Sequence, residues 1–211
     1  MKIRWFGQAS FSIVASDGTV IRTDPFDASL GLPVSDERAD VVTVSHDHFD
    51  HNAVQLVPGK PATVTQAGTR EVRGILFTGV TTFHDEVKGA KRGMNIVFRF
   101  ELDGVAVCHA GDLGHVLLPH QREELGRVEV LMIPVGGFYT INAAEADRVI
   151  DLVNPSVVIP MHYRLPGMDL PIDDASAFLA GKSNVRKLDV LEITGETLPV
   201  EREIVVLTPP V

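Results

Sequence analysis

Three of the chain's eight histidines fall within one stretch of six residues, 46–51, whose sequence is HDHFDH. Random placement in a chain of this composition produces the pattern H-x-H-x-D-H roughly once in a thousand chains. Imidazole and carboxylate groups together are the ligands that suit Zn, Fe, Mn and Ni, rather than Ca or Mg. The stretch therefore predicts a metal-binding loop instead of a solvated polar loop. Such a loop needs a rigid structural element next to it in the fold.

The spacing within this loop indicates a site for two ions. Residues two apart in an extended segment point the same way, so His46 and His48 can bind one ion together. Asp50 is followed directly by His51, which breaks the alternation and lets this pair face a second ion. Two-metal sites hold their ions about 3.5–4 Å apart. The apolar run 41–44 predicts a buried strand that supports the loop.

Three further candidate ligands stand where apolar runs end. His84 follows the run 81–83, His162 follows the run 159–161, and Asp112 directly follows Gly111, whose backbone allows close approach to an ion. Each residue alone has an ordinary alternative, as a core histidine bonded to the backbone or as a turn aspartate. Together with the loop, the three residues predict one shared site.

Apolar periodicity and turn signals predict strands first and then strands alternating with helices. The predicted strands cover residues 11–14, 20–23, 41–44, 62–65, 75–83, 95–102, 105–108, 128–134 and 157–160, and the predicted helices cover 119–125, 143–152 and 173–180. Asn142 and Glu145 have the spacing of a capping box at the start of the second helix. This order predicts a mixed α/β layered structure in a single domain over residues 1–211.

Composition excludes several function classes. The chain has 28 acidic and 19 basic side chains, a formal net charge of −9, and it lacks the basic clusters that bind nucleic acid. No stretch approaches the roughly 18 apolar residues of a membrane span, and no targeting signal opens the chain. We expect a cytoplasmic protein with a small-molecule substrate, and neither nucleic acid nor membrane as a partner.

These motifs resemble the metallo-β-lactamase fold superfamily, and in particular its compact metal-dependent hydrolases, which include the phosphorylated-ascorbate lactonases. The resemblance covers nearly the whole chain. It rests on TDP at 23–25, SHDHFDH at 45–51, HD at 84–85, GDLGH at 111–115, residues 134–140, and IPMHY at 159–163. It implies a four-layer αββα sandwich with the site at one edge of two facing sheets.

The resemblance also implies a ligand set for two divalent ions. His46, His48 and His84 hold the first ion, Asp50, His51 and His162 hold the second, and Asp112 bridges both. Zinc is the default metal, and Mn, Ni or Fe suit the same ligands. Asp24 matches an aspartate that supports the loop, whereas Gln8 stands where many relatives carry a histidine and has no expected metal role. His109 and His115 either support the ligands or face the substrate.

The predicted activity is hydrolysis by a metal-activated water, which cleaves an ester, lactone or phosphodiester bond of a small anionic substrate. Asp50 orients the water and accepts its proton. Two divalent ions, two carboxylates and a hydroxide sum to a local charge of about +1, which favours an anion. Arg164 is a candidate clamp for that anion or a solvated surface arginine, and Tyr139 either lines the pocket or packs in the core.

Two alternatives use the same residues. One is an iron-dependent oxidoreductase on this fold, and the other is a non-catalytic metal-binding protein. A serine or cysteine hydrolase is disfavoured because Ser10 and Ser45 lack the G-x-S-x-G context and Cys108 lies in an apolar run. An RNA-processing nuclease is disfavoured because the chain has neither an added domain nor a basic run. The resemblance also suggests a homo-oligomer.

Overall fold

Fourteen strands carry most of the regular structure in the computed structural model, which describes residues 1–210. In chain order they are β1 (Lys2–Gly7), β2 (Ser10–Val14), β3 (Val20–Thr23), β4 (Val41–Thr43), β5 (Ala62–Val64), β6 (Gly68–Val72), β7 (Ile75–Phe83), β8 (Met94–Leu102), β9 (Val105–His109), β10 (Val130–Pro134), β11 (Val157–Met161), β12 (Val185–Leu188), β13 (Leu191–Glu192) and β14 (Glu203–Leu207).

The strands form two sheets. The first has six strands in the order β13-β1-β2-β3-β4-β5, and the second has eight in the order β12-β14-β11-β10-β9-β8-β7-β6. Each sheet changes from antiparallel to parallel pairing along its width: β3 pairs in parallel with β4, and β9 in parallel with β10. Parallel neighbours place their carboxyl ends at the same sheet edge, where α/β proteins commonly build their sites.

The main hydrophobic core lies between the sheets. Trp5 and Phe11 of the first sheet belong to the same buried cluster as Phe98 and Phe100 of the second, and all four side chains are fully buried. Alternation in β8 produces this arrangement, since every second side chain of a strand points to the same face. Burying each such side chain stabilises the fold by about 1.5–3 kcal/mol.

Three helices follow β9: α1 (Pro119–Leu125), α2 (Ala143–Val153) and α3 (Ser176–Leu179). Helix α1 contacts β7, and α2 contacts both β10 and α3. The capping box is present, because Asn142 Oδ1 accepts from the Glu145 amide at 3.0 Å and Glu145 Oε2 accepts from the Asn142 amide at 3.0 Å. None of the helices within residues 1–210 has the length and apolar character to cross a bilayer.

The opposite face of the first sheet packs against turns rather than α-helices. Val42 and Val44 form a separate buried cluster with Ala39 and Val57, next to the 3₁₀ helix Val54–Leu56. The two facing sheets with flanking layers confirm the fold class that the sequence predicts.

Two parts of the predicted element pattern differ from the structure. Strands β1, β6, β12, β13 and β14 are additional to the prediction. The last helix begins at Ser176 instead of Asp173, because the Asp173 backbone bonds elsewhere: its amide donates to Gly136 O at 2.8 Å, and its carbonyl accepts from Arg164 N at 2.9 Å. A residue with both groups committed to distant partners cannot join a helical turn.

Candidate metal centre

The candidate ligands converge at one edge of the two sheets. The loop with HDHFDH follows β4, His84 directly follows β7, Asp112 lies three residues after β9, and His162 directly follows β11. His84 and His162 therefore project from the ends of paired strands, whereas Asp112 and the loop ligands lie in segments that begin at such ends. The structure brings together all seven ligands that the resemblance implies.

The donor atoms form overlapping groups. Ligand atoms within 4.8 Å of one another define three sets: His46, His48 and His84; Asp50, His51 and His162; and Asp24, His46 and His51. The first two sets are the two ligand groups that the resemblance implies. The third set arises because Asp24 lies behind the loop, close to His46 and His51.

Asp112 lies between the first two groups. Its Oδ2 atom is 3.2 Å from His84 Nε2, 3.3 Å from His51 Nε2 and 3.1 Å from His162 Nε2. His84 belongs to one group, whereas His51 and His162 belong to the other. A single carboxylate oxygen thus contacts donors of both groups, which is the position of a bridging ligand.

Four buried atoms of the ligand cluster lack a hydrogen-bond partner among residues 1–210: His51 Nε2, His84 Nδ1, Asp112 Oδ1 and His162 Nδ1. An unsatisfied buried polar group costs about 1–3 kcal/mol, so native proteins rarely keep one without a reason. Imidazole nitrogens and carboxylate oxygens that face one another are the donor set of Zn, Mn, Fe or Ni. The residues present therefore fit a divalent cation.

The charge states of His46 and Asp50 suit a cation, since metal ligands must be deprotonated. Burial would lower the pKa of His51, but Asp112, Asp24 and Asp50 outweigh it and raise that pKa well above its usual value, so a cation would have to displace this proton. Burial lowers the pKa of His46 to about 3, helped by the charge of His51 and opposed by Asp112. Burial alone would raise the pKa of Asp50, but the charge of His51, whose Nε2 lies 3.4 Å from Asp50 Oδ2, outweighs it and lowers that pKa to about 2. At neutral pH His46 is neutral and Asp50 is ionised.

Asp24 holds the loop from behind, as the resemblance implies. Its Oδ2 atom lies 2.9 Å from His51 Nδ1 and accepts from Ser45 Oγ at 2.5 Å, while Oδ1 accepts from the Ser45 amide at 2.8 Å. A carboxylate at Nδ1 keeps the proton on that atom, which leaves Nε2 free to bind a cation. Ser45 is part of this support, and the sequence analysis gave it no such role.

Gln8 lies inside the cluster, although no metal role was expected for it. Its Nε2 atom is 2.8 Å from Asp50 Oδ2 and 2.8 Å from His162 Nε2. Its backbone oxygen accepts from the His162 amide at 3.0 Å. The side chain thus touches two candidate ligands of the second group.

Three non-glycine residues of the cluster have left-handed backbone conformations. The φ angles are +49° for Gln8, +34° for Asp24 and +51° for His162. Such conformations are costly for residues with a Cβ atom, and they persist where surrounding contacts enforce them, often at functional sites. Their concentration here is independent support for a functional centre.

The two remaining histidines predicted for the site, His109 and His115, form hydrogen bonds with backbone groups. His109 is fully buried, and its Nε2 donates to Ala9 O at 2.8 Å. His115 Nε2 accepts from the Phe83 amide at 3.2 Å, directly before His84. Neither side chain lines the cavity over the cluster. The geometry therefore favours the first of the two expected roles, support of the ligands.

A cavity of about 290 Å³ opens over the ligand cluster. Besides the ligands and Gln8, its lining consists of Phe49, Arg92, Tyr139 and Leu170. Tyr139 thus lies where the sequence analysis expected a pocket residue. Arg164 is exposed and lies outside this lining, whereas Arg92, which the sequence analysis did not single out, belongs to it.

Comparisons with known proteins agree with this geometry. A family model described as "Beta-lactamase superfamily domain" matches residues 2–162. A relative from Archaeoglobus fulgidus, named "UPF0173 metal-dependent hydrolase", is 32% identical over 195 residues, which cover 77% of this chain and 83% of the relative.

Solved structures show the same architecture. A Thermotoga maritima protein, classed provisionally as a Zn-dependent hydrolase of the metallo-beta-lactamase superfamily, superposes with a TM-score of 0.83 at 42% identity, covering 98% of this chain and 97% of that one. Igni18, a metallo hydrolase from Ignicoccus hospitalis, has a TM-score of 0.62 at 22% identity, with 92% and 99% coverage, and so shares the fold. These matches do not extend to a lactonase activity, which stays a prediction.

Proposed function

This chain belongs to the beta-lactamase superfamily and, within it, to the UPF0173 metal-dependent hydrolases, and on that premise we propose that it hydrolyses an ester, lactone or phosphodiester bond of a small anionic substrate. The observation that carries the proposal is the position of Asp112, whose Oδ2 atom lies within 3.3 Å of the Nε2 atoms of His51, His84 and His162. In a metal-dependent hydrolase, donors that converge in this way would bind the metal ions.

We assign the ligands to two divalent ions, with zinc as the default. His46, His48 and His84 would hold one ion, Asp50, His51 and His162 the other, and Asp112 would lie between them. A divalent cation held there lowers the pKa of water toward neutrality and polarises the bond to be cleaved. Both ligand groups face the cavity through His48, His84, Asp50 and His162.

Asp50 is the residue to which we assign a catalytic role. It is part of the cavity lining, and its low pKa of about 2 keeps it ionised at neutral pH. An ionised carboxylate accepts a hydrogen bond from water and so orients it toward the substrate. Its low basicity makes orientation the main contribution and acceptance of the proton the lesser one.

The proposal is tested with metal-free protein reconstituted with Zn, Mn, Ni or Fe. Elemental analysis gives the metal content per chain, and a panel of esters, phosphorylated sugar lactones and phosphodiesters gives turnover. Metal-dependent cleavage that disappears in the double variant His48→Ala with His51→Ala supports the proposal. Tight metal binding without cleavage of any panel member indicates a non-catalytic metal-binding protein, and iron-dependent oxygen consumption indicates an oxidoreductase.

We further propose that the chain forms a single domain, lies in the cytoplasm and binds neither nucleic acid nor a membrane. We also propose the homo-oligomer that the sequence resemblance suggests, and size-exclusion chromatography with light scattering measures it.

A further inference from the structure

Arg92 brings a positive charge to the cavity over the ligand cluster. Its side chain is half-buried, and its guanidinium carbon lies 5.3 Å from the centre of the Tyr139 ring. No carboxylate of residues 1–210 forms a salt bridge with it. Stacking on an aromatic face leaves the N–H groups at the edge of a guanidinium free, and these match carboxylate or phosphate oxygens.

A buried carboxylate fixes the loop that carries Arg92. Asp85 Oδ1 accepts from the amides of Val87 and Gly89 at 2.9 and 2.7 Å. Asp85 Oδ2 accepts from the amides of Lys91 and Arg92 at 2.9 and 2.8 Å. Four backbone bonds to one side chain hold the loop in a single shape, so Arg92 enters the cavity already positioned.

The remainder of the cavity wall is apolar. Phe49, Tyr139 and Leu170 line it beside the ligand residues, and Phe49 is 61% exposed. Phe138 packs edge-to-face on Tyr139 with ring centres 4.7 Å apart and is itself 62% exposed. Large aromatic side chains left in water beside a site are a typical mark of an apolar ligand surface.

The cavity therefore combines the unpaired positive charge of Arg92 with aromatic walls. A volume of about 290 Å³ lies at the lower end of the range for small-molecule sites, roughly 300–1,000 Å³. We infer that the site takes small substrates that carry an aromatic or similarly apolar group together with a carboxylate or phosphate, with Arg92 binding the anion and Phe49 and Tyr139 the apolar group. This inference rests on the proposed hydrolase function, whose substrate class it narrows.

Equilibrium binding tests the inference without turnover. Phenylphosphonate carries both groups, methylphosphonate carries only the anion, and benzyl alcohol carries only the ring. Calorimetry on metal-loaded protein should show phenylphosphonate binding at least about tenfold more tightly than either partial probe. Equal affinities for phenylphosphonate and methylphosphonate would overturn the role of the apolar walls.

Variants test the assignment of the anion to Arg92. Arg92→Met should weaken phenylphosphonate binding by about tenfold or more at unchanged metal content. Lys91→Met is the matched control, because it removes one positive charge from the same loop, where Lys91 pairs with Glu86. Wild-type affinity in Arg92→Met, an equal loss in Lys91→Met, or a larger loss in Arg164→Met would overturn the inference.

The hydrolase panel separates this inference from the function on which it rests. Arg92-dependent binding without turnover of any ester, lactone or phosphodiester would refute the proposed hydrolysis and leave the ligand class in place. Turnover with the same kcat/KM for neutral aliphatic and anionic aromatic members of a matched ester pair would leave hydrolysis in place and refute the ligand class.

Discussion

The carboxylate of Asp24 accepts a hydrogen bond from Nδ1 of His51 across 2.9 Å, with both side chains fully buried. On the other side of the imidazole ring, Nε2 lies 3.3 Å from Asp112 Oδ2. The ring therefore spans the distance between a supporting carboxylate and the centre of the ligand cluster. Because Asp24 determines which ring nitrogen carries the proton, a residue 27 positions earlier in the chain controls whether His51 can bind a cation.

Replacement of Asp24 by alanine should weaken metal binding by about 10–100-fold, the usual effect of losing a partner of a ligating histidine. The buried Nδ1–H of His51 would lose its acceptor, and both Ser45 donors would lose theirs. Competition with a chromophoric zinc chelator measures the change. Asp36→Asn, at an exposed aspartate, is the control. Equal zinc affinity in Asp24→Ala and wild type would contradict this prediction.

Replacement of Asp50 by alanine should retain metal at the His46, His48 and His84 group while turnover falls about 10²–10⁴-fold, the range associated with a positioned acid or base. The expected pattern is a large loss of kcat on whichever panel substrate the wild type cleaves. Elemental analysis of the same sample must show at least one ion per chain. Wild-type kcat in this variant would remove Asp50 from the mechanism.

Replacement of Gln8 by alanine should strengthen binding of the second ion by about tenfold. The Gln8 amide lies 2.8 Å from both Asp50 Oδ2 and His162 Nε2, so an ion at that position must displace these contacts. A hydrogen bond to a charged group contributes about 1.5–3 kcal/mol to stability. In Gln8→Ala the ion has no such bond to displace, so part of this free energy adds to the affinity for the ion. Stepwise calorimetric titration with zinc measures both affinities. A weaker second affinity would show instead that Gln8 supports the ion.

The strand ends and the ligand set were predictable from the sequence because both leave local signals. Apolar runs reveal β4, β7 and β11, and a ligand follows each of them within three residues. Gln8 and Arg92 leave no such signal. Arg92 reaches the cavity only because its loop wraps around Asp85. Gln8 contacts His162 although the two residues are 154 positions apart in the chain. Such placements follow from tertiary packing rather than from periodicity.

Cys108 should not react with thiol reagents in the folded protein. It is fully buried in β9, and burial raises the pKa of its thiol to about 12. The thiolate is the reactive form, so at pH 8 almost none is present and none is accessible. Titration with a chromogenic disulfide should release less than about 0.1 equivalent in buffer and one equivalent in denaturant. Rapid labelling of the folded protein would contradict the burial of this strand.

Replacement of Asn142 by alanine should destabilise the protein by about 1 kcal/mol without changing its metal content. Asn142 caps α2 through reciprocal bonds with Glu145, and losing such a cap costs about 0.5–2 kcal/mol. In a chain of this length, that loss corresponds to a fall in Tm of about 2–4 °C. Differential scanning calorimetry of metal-free protein measures it, with exposed Ser183→Ala as control. Since α2 packs on β10, which carries none of the candidate ligands, a simultaneous loss of zinc would show that the helix and the metal centre are coupled.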